Sequence, residues 1–306
     1  TPVERLAIPR IKMTDGPNGA RGDGSSKVSS ACYPNGSAIA STWDLELIES
    51  LGKSLGREAR SKDADVLLGP TINIHRHPLG GRHFECYSED PVLTGAVTVA
   101  YVKGVQSQGV AACIKHFVGN DTEFQRHTIS SNIKPRPLRE IYLLPFEMGV
   151  KQGGALGVMS AYNKLNNIYC SSNEELLIDI LKEEWNFSGY VVSDWGAALQ
   201  TVENANGGLD CEMPGPAKSW GENLIKAVRE KKVKEEAIDS ATMQPGDRAP
   251  ASATTAGEAA LSDSDIAAQR LVQATTLEEE AKRLRDEAYD YDPDLKPKRG
   301  RPKKTS

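Results

Sequence analysis

The feature that most constrains the fold is an alternation along residues 1–240, in which short β-branched or apolar runs precede longer amphipathic runs. The short runs predict six strands, at residues 11–13, 65–68, 111–114, 157–160, 190–193 and 209–213. The longer runs predict helices at residues 43–60, 137–151, 173–185 and 222–229, the first with Ser41 and Thr42 as candidate N-caps. Such repeated βα units predict a parallel sheet, and periodicity alone leaves both a barrel and a doubly wound sheet open.

Polar residues lie just beyond the carboxyl ends of all six predicted strands. They are, in chain order, Asp15, residues 73–82, Lys115 and His116, Tyr162 and Asn163, Asp194, and Glu212. In a (β/α)8 barrel the active site is built at that one rim, from the loops that follow the strands. We therefore predict an α/β fold: a (β/α)8 TIM-like barrel, complete or incomplete, with a disordered or helical C-terminal tail.

The composition changes after Ser240, which divides the chain into three predicted parts. Residues 1–240 form the barrel domain, and residues 241–275 form a flexible linker because they are rich in Ala, Ser, Thr, Gly, Asp and Pro. Residues 276–306 begin with a capping box, Thr276 to Glu279, that predicts a short helix, and they end in the basic sequence KPKRGRPKKTS. The N-terminal sequence begins as though cut from a longer chain.

Composition also narrows the class of protein. The net charge of −5 argues against a nucleic-acid or membrane binder by bulk electrostatics. The five cysteines are odd in number and never spaced as CxxC, which argues against a disulfide framework or a zinc cluster and favours a reducing, cytoplasmic location. No apolar run approaches the roughly 18 residues of a membrane helix.

Six ordered sequence blocks resemble the signature blocks of family 3 glycoside hydrolases of the β-glucosidase type. The blocks are TDGPNGARG (14–22), LLGPTINIHRHPLGGRHFECYSEDP (67–91), IKHFVGND (114–121), MSAYNKLN (159–166), GYVVSDWGA (189–197) and GLDCEMPGP (208–216). The resemblance covers roughly residues 1–240. It implies the catalytic barrel domain of that family, here truncated and followed by an unrelated tail.

The resemblance implies that Asp194, in the SDW block, is the catalytic nucleophile. A carboxylate suits a retaining mechanism, since it forms a glycosyl ester through an oxocarbenium-like transition state. An Asp at a strand end followed by small residues also occurs as a simple helix cap, and the surrounding blocks favour the catalytic interpretation.

The resemblance also implies which residues hold the sugar. Lys115 and His116 match the family's KH pair, and Asp15 and Arg82 match positions that grip vicinal hydroxyls. Tyr162 matches the tyrosine whose phenol stabilises the nucleophile by hydrogen bonding. The alternative for Lys115, His116, Asp15 and Arg82 is a structural salt-bridge network under the rim. The alternative for Tyr162 is a core aromatic residue with a solvated hydroxyl. Arg21, Arg76 and Glu212 are weaker candidates, and Glu212 could simply brace the last loop.

The sequence lacks the residue that the family uses as its general acid/base. Two-domain members take a glutamate from a second α/β domain, and nothing after residue 240 resembles that domain. Single-domain relatives that cleave N-acetylglucosaminides use a loop histidine instead, and His127 lies at a similar spacing after His116. The residues that flank that histidine in those relatives are absent, so we interpret His127 as an ordinary loop residue near the site.

Two functions from different classes follow. The first is retaining hydrolysis of terminal β-D-glucosyl or related residues, impaired by the missing acid/base and needing neither metal nor organic cofactor. The second is a catalytically silent barrel that acts as a binding or scaffold module, tethered to DNA by its tail. PKRGRPKK resembles an AT-hook, in which Arg299 and Arg301 would lie in the minor groove of A·T-rich DNA; a solvated basic tail is the alternative.

Overall fold

The structure is a computed structural model that describes residues 9–22, 29–234 and 237. The chain divides into two compact units, Thr1–Gly246 and Asp247–Ser306, and all described residues belong to the first. The predicted linker, the predicted tail helix and the basic segment with Arg299 and Arg301 therefore lie outside the described residues.

A parallel sheet forms the centre of the first unit. The strands in the described residues are β1 (Met13–Asp15), β2 (Val66–Leu68), β3 (Ala111–Phe117), β4 (Ser130–Ser131), β5 (Gly157–Ser160), β6 (Lys164–Leu165), β7 (Ile168–Tyr169) and β8 (Tyr190–Ser193). Five of them pair in the order β1-β2-β3-β5-β8, all parallel. A doubly wound sheet would reverse its order at a switch point, whereas neighbours that follow chain order curl towards a barrel. The fold is a half-barrel of the TIM type, which confirms the predicted class.

Two strands end later than the sequence predicts, which places three site residues within strands. β1 includes Asp15 as its last residue, and β3 runs through Lys115 and His116 to Phe117, so these residues lie inside strands rather than after them. β3 is irregular between Lys115 and Phe117, where its register against β5 shifts.

The predicted strand at residues 209–213 is wrong. Its place holds only an isolated parallel bridge between Val192 and Cys211. The carboxylate of Asp210 accepts the backbone N–H of Val191 at 2.7 Å, so a side chain contributes here to the pairing. Pro214, which has no N–H to donate to a ladder, follows the segment directly, so the pairing does not extend beyond it.

Helices cover the convex face of the sheet. The α-helices in the described residues are α1 (Gly36–Ala40), α2 (Leu45–Ser61), α3 (Pro91–Gln106), α4 (Pro135–Pro137), α5 (Leu144–Lys151), α6 (Val202–Asn206) and α7 (Glu222–Arg229). Two π-helical segments, Leu138–Tyr142 and Glu175–Glu184, and two 3₁₀ turns, His83–Glu85 and Cys170–Ser172, complete the set. All four predicted helices have counterparts, and the last has the predicted bounds.

Two local predictions need correction. Helix α2 is capped by Asp44, whose carboxylate accepts the N–H of Leu47 at 3.0 Å, and not by Ser41 or Thr42. Trp43, with φ of 57°, turns the chain before this cap. Helix α3 was not predicted because it is apolar on nearly every face, so it carries no amphipathic signal. Its N-cap is Asp90, which accepts from Leu93 N at 2.7 Å.

The core has an inner and an outer layer. Inside the curl, one apolar cluster is formed by Val66, Leu68, Cys113, Met159, Val192 and Met213. Between sheet and helices, Phe117 stacks at tilted angles on Phe146 and Trp185, with ring centroids 4.9 and 5.9 Å away. Burial of this surface contributes about 25 cal/mol per Å² of apolar area removed from water. The inner cluster therefore packs the concave side of the half-barrel with apolar side chains.

A small second sheet ties two rim loops together. β4 pairs parallel with β6, and β6 pairs antiparallel with β7. Asn166 and Asn167 join β6 to β7 with φ of 49° and 73°, which are the left-handed values that a two-residue hairpin turn requires. The loop after β3 is thereby attached to the loop after β5, which carries Tyr162.

Candidate active site

The nucleophile candidate Asp194 follows β8 directly. Its residue is 8% exposed, and its backbone N–H donates to Ser160 O at 3.1 Å, which fixes it to the end of β5. Oδ1 accepts the backbone N–H of Trp195 at 2.7 Å, whereas Oδ2 is buried without a hydrogen-bond partner. Burial raises the pKa of Asp194 above its ordinary value, and the Trp195 N–H and the charge of Lys115 oppose that rise. One carboxylate oxygen is therefore held, and the other is available for chemistry.

Lys115 and Asp15 form an ion pair at the ends of β3 and β1. Lys115 Nζ donates to Asp15 Oδ1 at 2.6 Å, and Arg21 lies 3.5 Å from Asp15 Oδ2. The Lys115 side chain is only 5% exposed. Burial opposes ionisation of Asp15, but the Lys115 and Arg21 charges and the hydrogen bond from Lys115 outweigh it and lower the pKa of Asp15. The carboxylate therefore stays charged beside the rim.

His116 is held in one tautomer by Asn73. Asn73 Nδ2 donates to the carbonyl of His116 at 2.9 Å, and Asn73 Oδ1 accepts the backbone N–H of His116 at 3.0 Å. The same Oδ1 lies 3.2 Å from His116 Nδ1, so the ring proton must be on Nδ1. Burial, together with the charges of Arg82 and Lys115, lowers the pKa of His116 well below its ordinary value. Neutral His116 therefore presents Nε2 as an acceptor, 3.6 Å from Asp194 Oδ2.

Arg82, on the loop after β2, approaches His116 Nε2. Its Nη2 lies 3.5 Å from His116 Nε2, on the side facing Asp194. Its Nε donates to Glu85 Oε1, and Glu123 Oε1 lies 3.6 Å from the same Nε. The two carboxylates raise the pKa of Arg82 against the effect of burial. The guanidinium thus has one edge bonded to protein and the other near the nucleophile.

Tyr162 closes the site on the side of β5. Its hydroxyl donates to Trp195 O at 2.9 Å, beside Asp194. Burial and the charge of Asp194 raise the pKa of Tyr162 to about 12. Arg126 lies 4.9 Å above the tyrosine ring centroid, and the His127 ring packs edge-on at 4.3 Å. The exposed side chain of Trp195 projects from the same rim.

Comparisons with known proteins decide the family. The model of the "Glycosyl hydrolase family 3 N terminal domain" matches residues 2–244. The chain belongs to glycosyl hydrolase family 3. It is 59% identical over 238 residues to a β-glucosidase of Rhizobium radiobacter, which covers 77% of this chain and 29% of that protein. It is 45% identical over 248 residues to thermostable β-glucosidase B of Acetivibrio thermocellus, covering 78% and 33%.

A solved family 3 structure agrees with the fold. β-Glucosidase 3B of Thermotoga neapolitana, determined in complex with α-D-glucose, superposes with a TM-score of 0.75 at 45% identity, covering 79% of this chain and 35% of that one. The β-glucosidase of Kluyveromyces marxianus in complex with glucose gives the same score at 45% identity. The chain spans about a third of the length of these family 3 relatives.

The family 3 half-barrel brings all six predicted site residues to one rim. Contacts described above join Asp15 to Lys115, Arg82 to His116, and His116 to Asp194, while Tyr162 lies against the residue after the nucleophile. The roles given to these residues stay predictions, including the hydrogen bond from Tyr162 to the nucleophile. The Tyr162 hydroxyl donates to the neighbouring carbonyl of Trp195, and its closeness to the carboxylate of Asp194 also lowers the pKa of that carboxyl by hydrogen bonding.

Two weaker candidates have structural partners. Glu212 accepts the backbone N–H groups of Lys218, Ser219 and Trp220 at 2.7 to 2.9 Å, so it braces the last loop. Arg76 donates to the hydroxyl of Tyr142, and its guanidinium lies 5.7 Å from the centroid of the same ring.

Three residues of the site were not predicted from the sequence to be partners of its charged residues. They are Asn73, which orients His116, Glu85, which binds Arg82, and Arg126, which lies over Tyr162. Asn73 and Glu85 lie in the same sequence block as Arg82, and this proximity in sequence is the signal that points to them as partners of charged site residues. Arg126 follows the block IKHFVGND by five positions, and only the tertiary structure brings it to the rim.

Two further findings concern the part of the chain that the structure describes. It contains no group of three or more His, Cys, Asp or Glu side chains arranged to hold a metal ion. None of its helices combines the length and the apolar character needed to span a membrane.

Proposed function

We propose that this family 3 domain cleaves terminal β-D-glucosyl residues by double displacement with retention, with Asp194 as the nucleophile. The observation that carries the proposal is the buried Oδ2 of Asp194, which has no hydrogen-bond partner while Oδ1 is fixed by Trp195 N–H. Support also comes from the relatives, which are named β-glucosidases, and from the glucose in their structures.

In the first step, the lone pair of Asp194 Oδ2 attacks the anomeric carbon as the bond from that carbon to the aglycone oxygen breaks. The aglycone leaves with the electron pair as an oxyanion, which takes a proton from solvent when it is basic enough, and a glycosyl ester remains on Asp194. In the second step, water attacks the same carbon and gives up a proton to solvent, the ester bond breaks, and the electron pair returns to the carboxylate. Two inversions give net retention.

The sugar hydroxyls have donors and acceptors arranged around this oxygen. Arg82 Nη2 and Lys115 Nζ supply charged donors, whereas neutral His116 Nε2 and Asp15 supply acceptors. Charge-assisted hydrogen bonds of this kind are roughly twice as strong as neutral ones. We propose that these four residues hold one glucosyl unit with its anomeric carbon over Oδ2.

Protonation of the leaving group needs a group other than the near neighbours of Asp194. His116 is neutral because its pKa is well below the ordinary value, and the guanidinium of Arg82 does not release its proton. The pKa of Tyr162 is raised to about 12, too high for an efficient acid near pH 7. We therefore include in the proposal that these residues alone cleave only glycosides with good leaving groups at an appreciable rate.

The test is hydrolysis of 2,4-dinitrophenyl β-D-glucoside with and without azide. This leaving group needs little acid assistance, so formation of the glycosyl ester is measured by itself. We expect a burst of dinitrophenolate, faster turnover with azide, and β-glucosyl azide as product. The variant Asp194→Ala should lose the burst, whereas Asp179→Asn, an exposed carboxylate on the outer helix layer, should retain it. A burst that survives in Asp194→Ala, or an α-glucosyl azide, would refute the mechanism.

A second candidate function rests on the basic tail. The sequence PKRGRPKK supports contact of Arg299 and Arg301 with the minor groove of A·T-rich DNA, with the barrel as a silent binding module. The experiment is a mobility shift with A·T-rich and G·C-rich duplexes over a salt series. A preference for A·T that disappears in Arg299→Ala/Arg301→Ala would support it, and equal weak binding to both duplexes would leave only a solvated tail.

A further inference from the structure

Arg82 is tied to the sheet through Glu85. Arg82 stands on the loop after β2, immediately before the 3₁₀ turn His83–Glu85. Its Nε donates to Glu85 Oε1, and Thr71 Oγ1 donates to Glu85 Oε2 at 3.1 Å. Thr71 is 1% exposed and bridges to Lys115 of β3. A continuous set of contacts therefore runs from the rigid sheet, through Thr71 and Glu85, to the guanidinium.

Glu85 also determines which edge of the guanidinium faces the site. A guanidinium offers five N–H donors in a fixed plane, so a partner at Nε orients the others. With Nε directed at Glu85, Nη2 points to His116 Nε2 at 3.5 Å. Glu123 lies 3.6 Å from the same Nε and 3.2 Å from Arg126, which places a second carboxylate on the edge away from the nucleophile.

The Glu85 side chain is 13% exposed, so little water competes for its two hydrogen bonds. An exposed Arg–Glu pair would contribute little, but here both oxygens have protein donors and Arg82 is only 24% exposed. We propose that Glu85 is a positioning residue for sugar binding, which holds the Nη edge of Arg82 against the glucosyl unit. This inference rests on the proposed function, in which Arg82 grips a sugar hydroxyl.

The test uses three variants in the full chain. Glu85→Gln removes the charge that binds Arg82, and Thr71→Val removes the hydroxyl that anchors Glu85 without changing the shape of the side chain much. Glu89→Gln is the matched control, since Glu89 is exposed four residues further along. We expect Glu85→Gln to raise the dinitrophenyl glucoside concentration for half-maximal burst about tenfold, which is the effect of losing one hydrogen bond to a charged group. Thr71→Val should give a smaller rise, and Glu89→Gln none.

The pH profile separates positioning from simple loss of a negative charge. Removing a carboxylate near Asp194 would lower the pKa of the nucleophile and move the acid limb of the burst rate to lower pH. Displacing Arg82 would instead raise the pKa of Asp194, because the positive charge of Arg82 lowers it in the original chain. We expect the acid limb of Glu85→Gln to move to higher pH. A shift to lower pH, or a profile and half-maximal concentration like those of Glu89→Gln, would overturn the inference while leaving the proposed function intact.

One readout does not require catalysis. The Nε–H resonance of Arg82, assigned by its loss in Arg82→Lys, should exchange slowly with water in the original chain and rapidly in Glu85→Ala, which removes the acceptor at Nε. If the original chain shows no burst, the proposed function fails, and this resonance then decides separately whether Glu85 holds Arg82. An Nε–H that remains equally protected in Glu85→Ala would overturn the inference that Glu85 holds Arg82.

Discussion

Asp15→Ala should destabilise the half-barrel because it leaves the ammonium of Lys115 buried without its counter-ion. Asp15 is the one acceptor that binds Lys115 Nζ among the described residues, at 2.6 Å. Breaking a fully buried pair costs about 3–5 kcal/mol. Here the Lys115 side chain is 5% exposed but that of Asp15 is 40% exposed, so water can enter where the carboxylate was. We therefore expect a lower cost, about 2–3 kcal/mol.

The assay is urea unfolding followed by tryptophan fluorescence, in which buried Trp185 reports on the core. In a parallel thermal melt of a domain of this size, each kcal/mol lost from the unfolding free energy lowers Tm by roughly 2–4 °C, so Tm should fall by roughly 4–12 °C. The double variant Asp15→Ala/Lys115→Met no longer has a buried ammonium without its counter-ion at this position and should recover most of the loss. If the double variant is as unstable as Asp15→Ala, or if Asp15→Ala costs less than about 0.5 kcal/mol, the buried-charge argument is refuted.

Three further predictions follow from the described residues. Asp121→Asn should change the pH dependence of stability: burial raises the pKa of Asp121 to about 7, so the folded carboxyl holds its proton where the unfolded one has released it. The unfolding free energy of the original chain should therefore fall between pH 4 and 7, by up to about 4 kcal/mol, relative to Asp121→Asn. His116 should show the neutral Nδ1–H tautomer in ¹⁵N NMR throughout pH 6–8, and Asn73→Ala should disturb that tautomer. Gly104→Ala should destabilise the α2–α3 contact, since its Cβ would lie 2.2 Å from Glu49 O.

Each of these predictions has a contradicting result. Parallel stability curves for the original chain and Asp121→Asn would mean that Asp121 is solvated in the folded state. Titration of His116 near pH 6.5 would place its ring in water rather than under Arg82. Alanine favours a helix over glycine by about 1 kcal/mol, so a Gly104→Ala variant as stable as the original chain would show that α2 and α3 can separate at little cost.

The sequence by itself determined the class of fold and the rim on which the site is built. Alternating short and long apolar runs are local patterns, and the polar residues that end successive strands must meet when parallel strands are neighbours. The ordered blocks around Asp194 and Lys115 identified the family for the same reason, since each block is contiguous in sequence. Strand β3 extended further than predicted, because the sheet continues to pair where the sequence pattern turns polar.

The tertiary structure decided everything that depends on contacts between distant segments. Asp15 and Lys115 are 100 residues apart, and their ion pair exists because β1 and β3 flank β2 in one register. The same is true of the Asn73 contact that fixes the His116 tautomer and of the unpartnered Oδ2 of Asp194. Helix α3 carries no sequence period because it is buried on nearly all sides, and burial is a property of the packed molecule. Periodicity in the sequence shows which face of a single helix or strand is apolar. The orientation, protonation state and partners of a side chain depend on the distant residues that folding brings into contact with it.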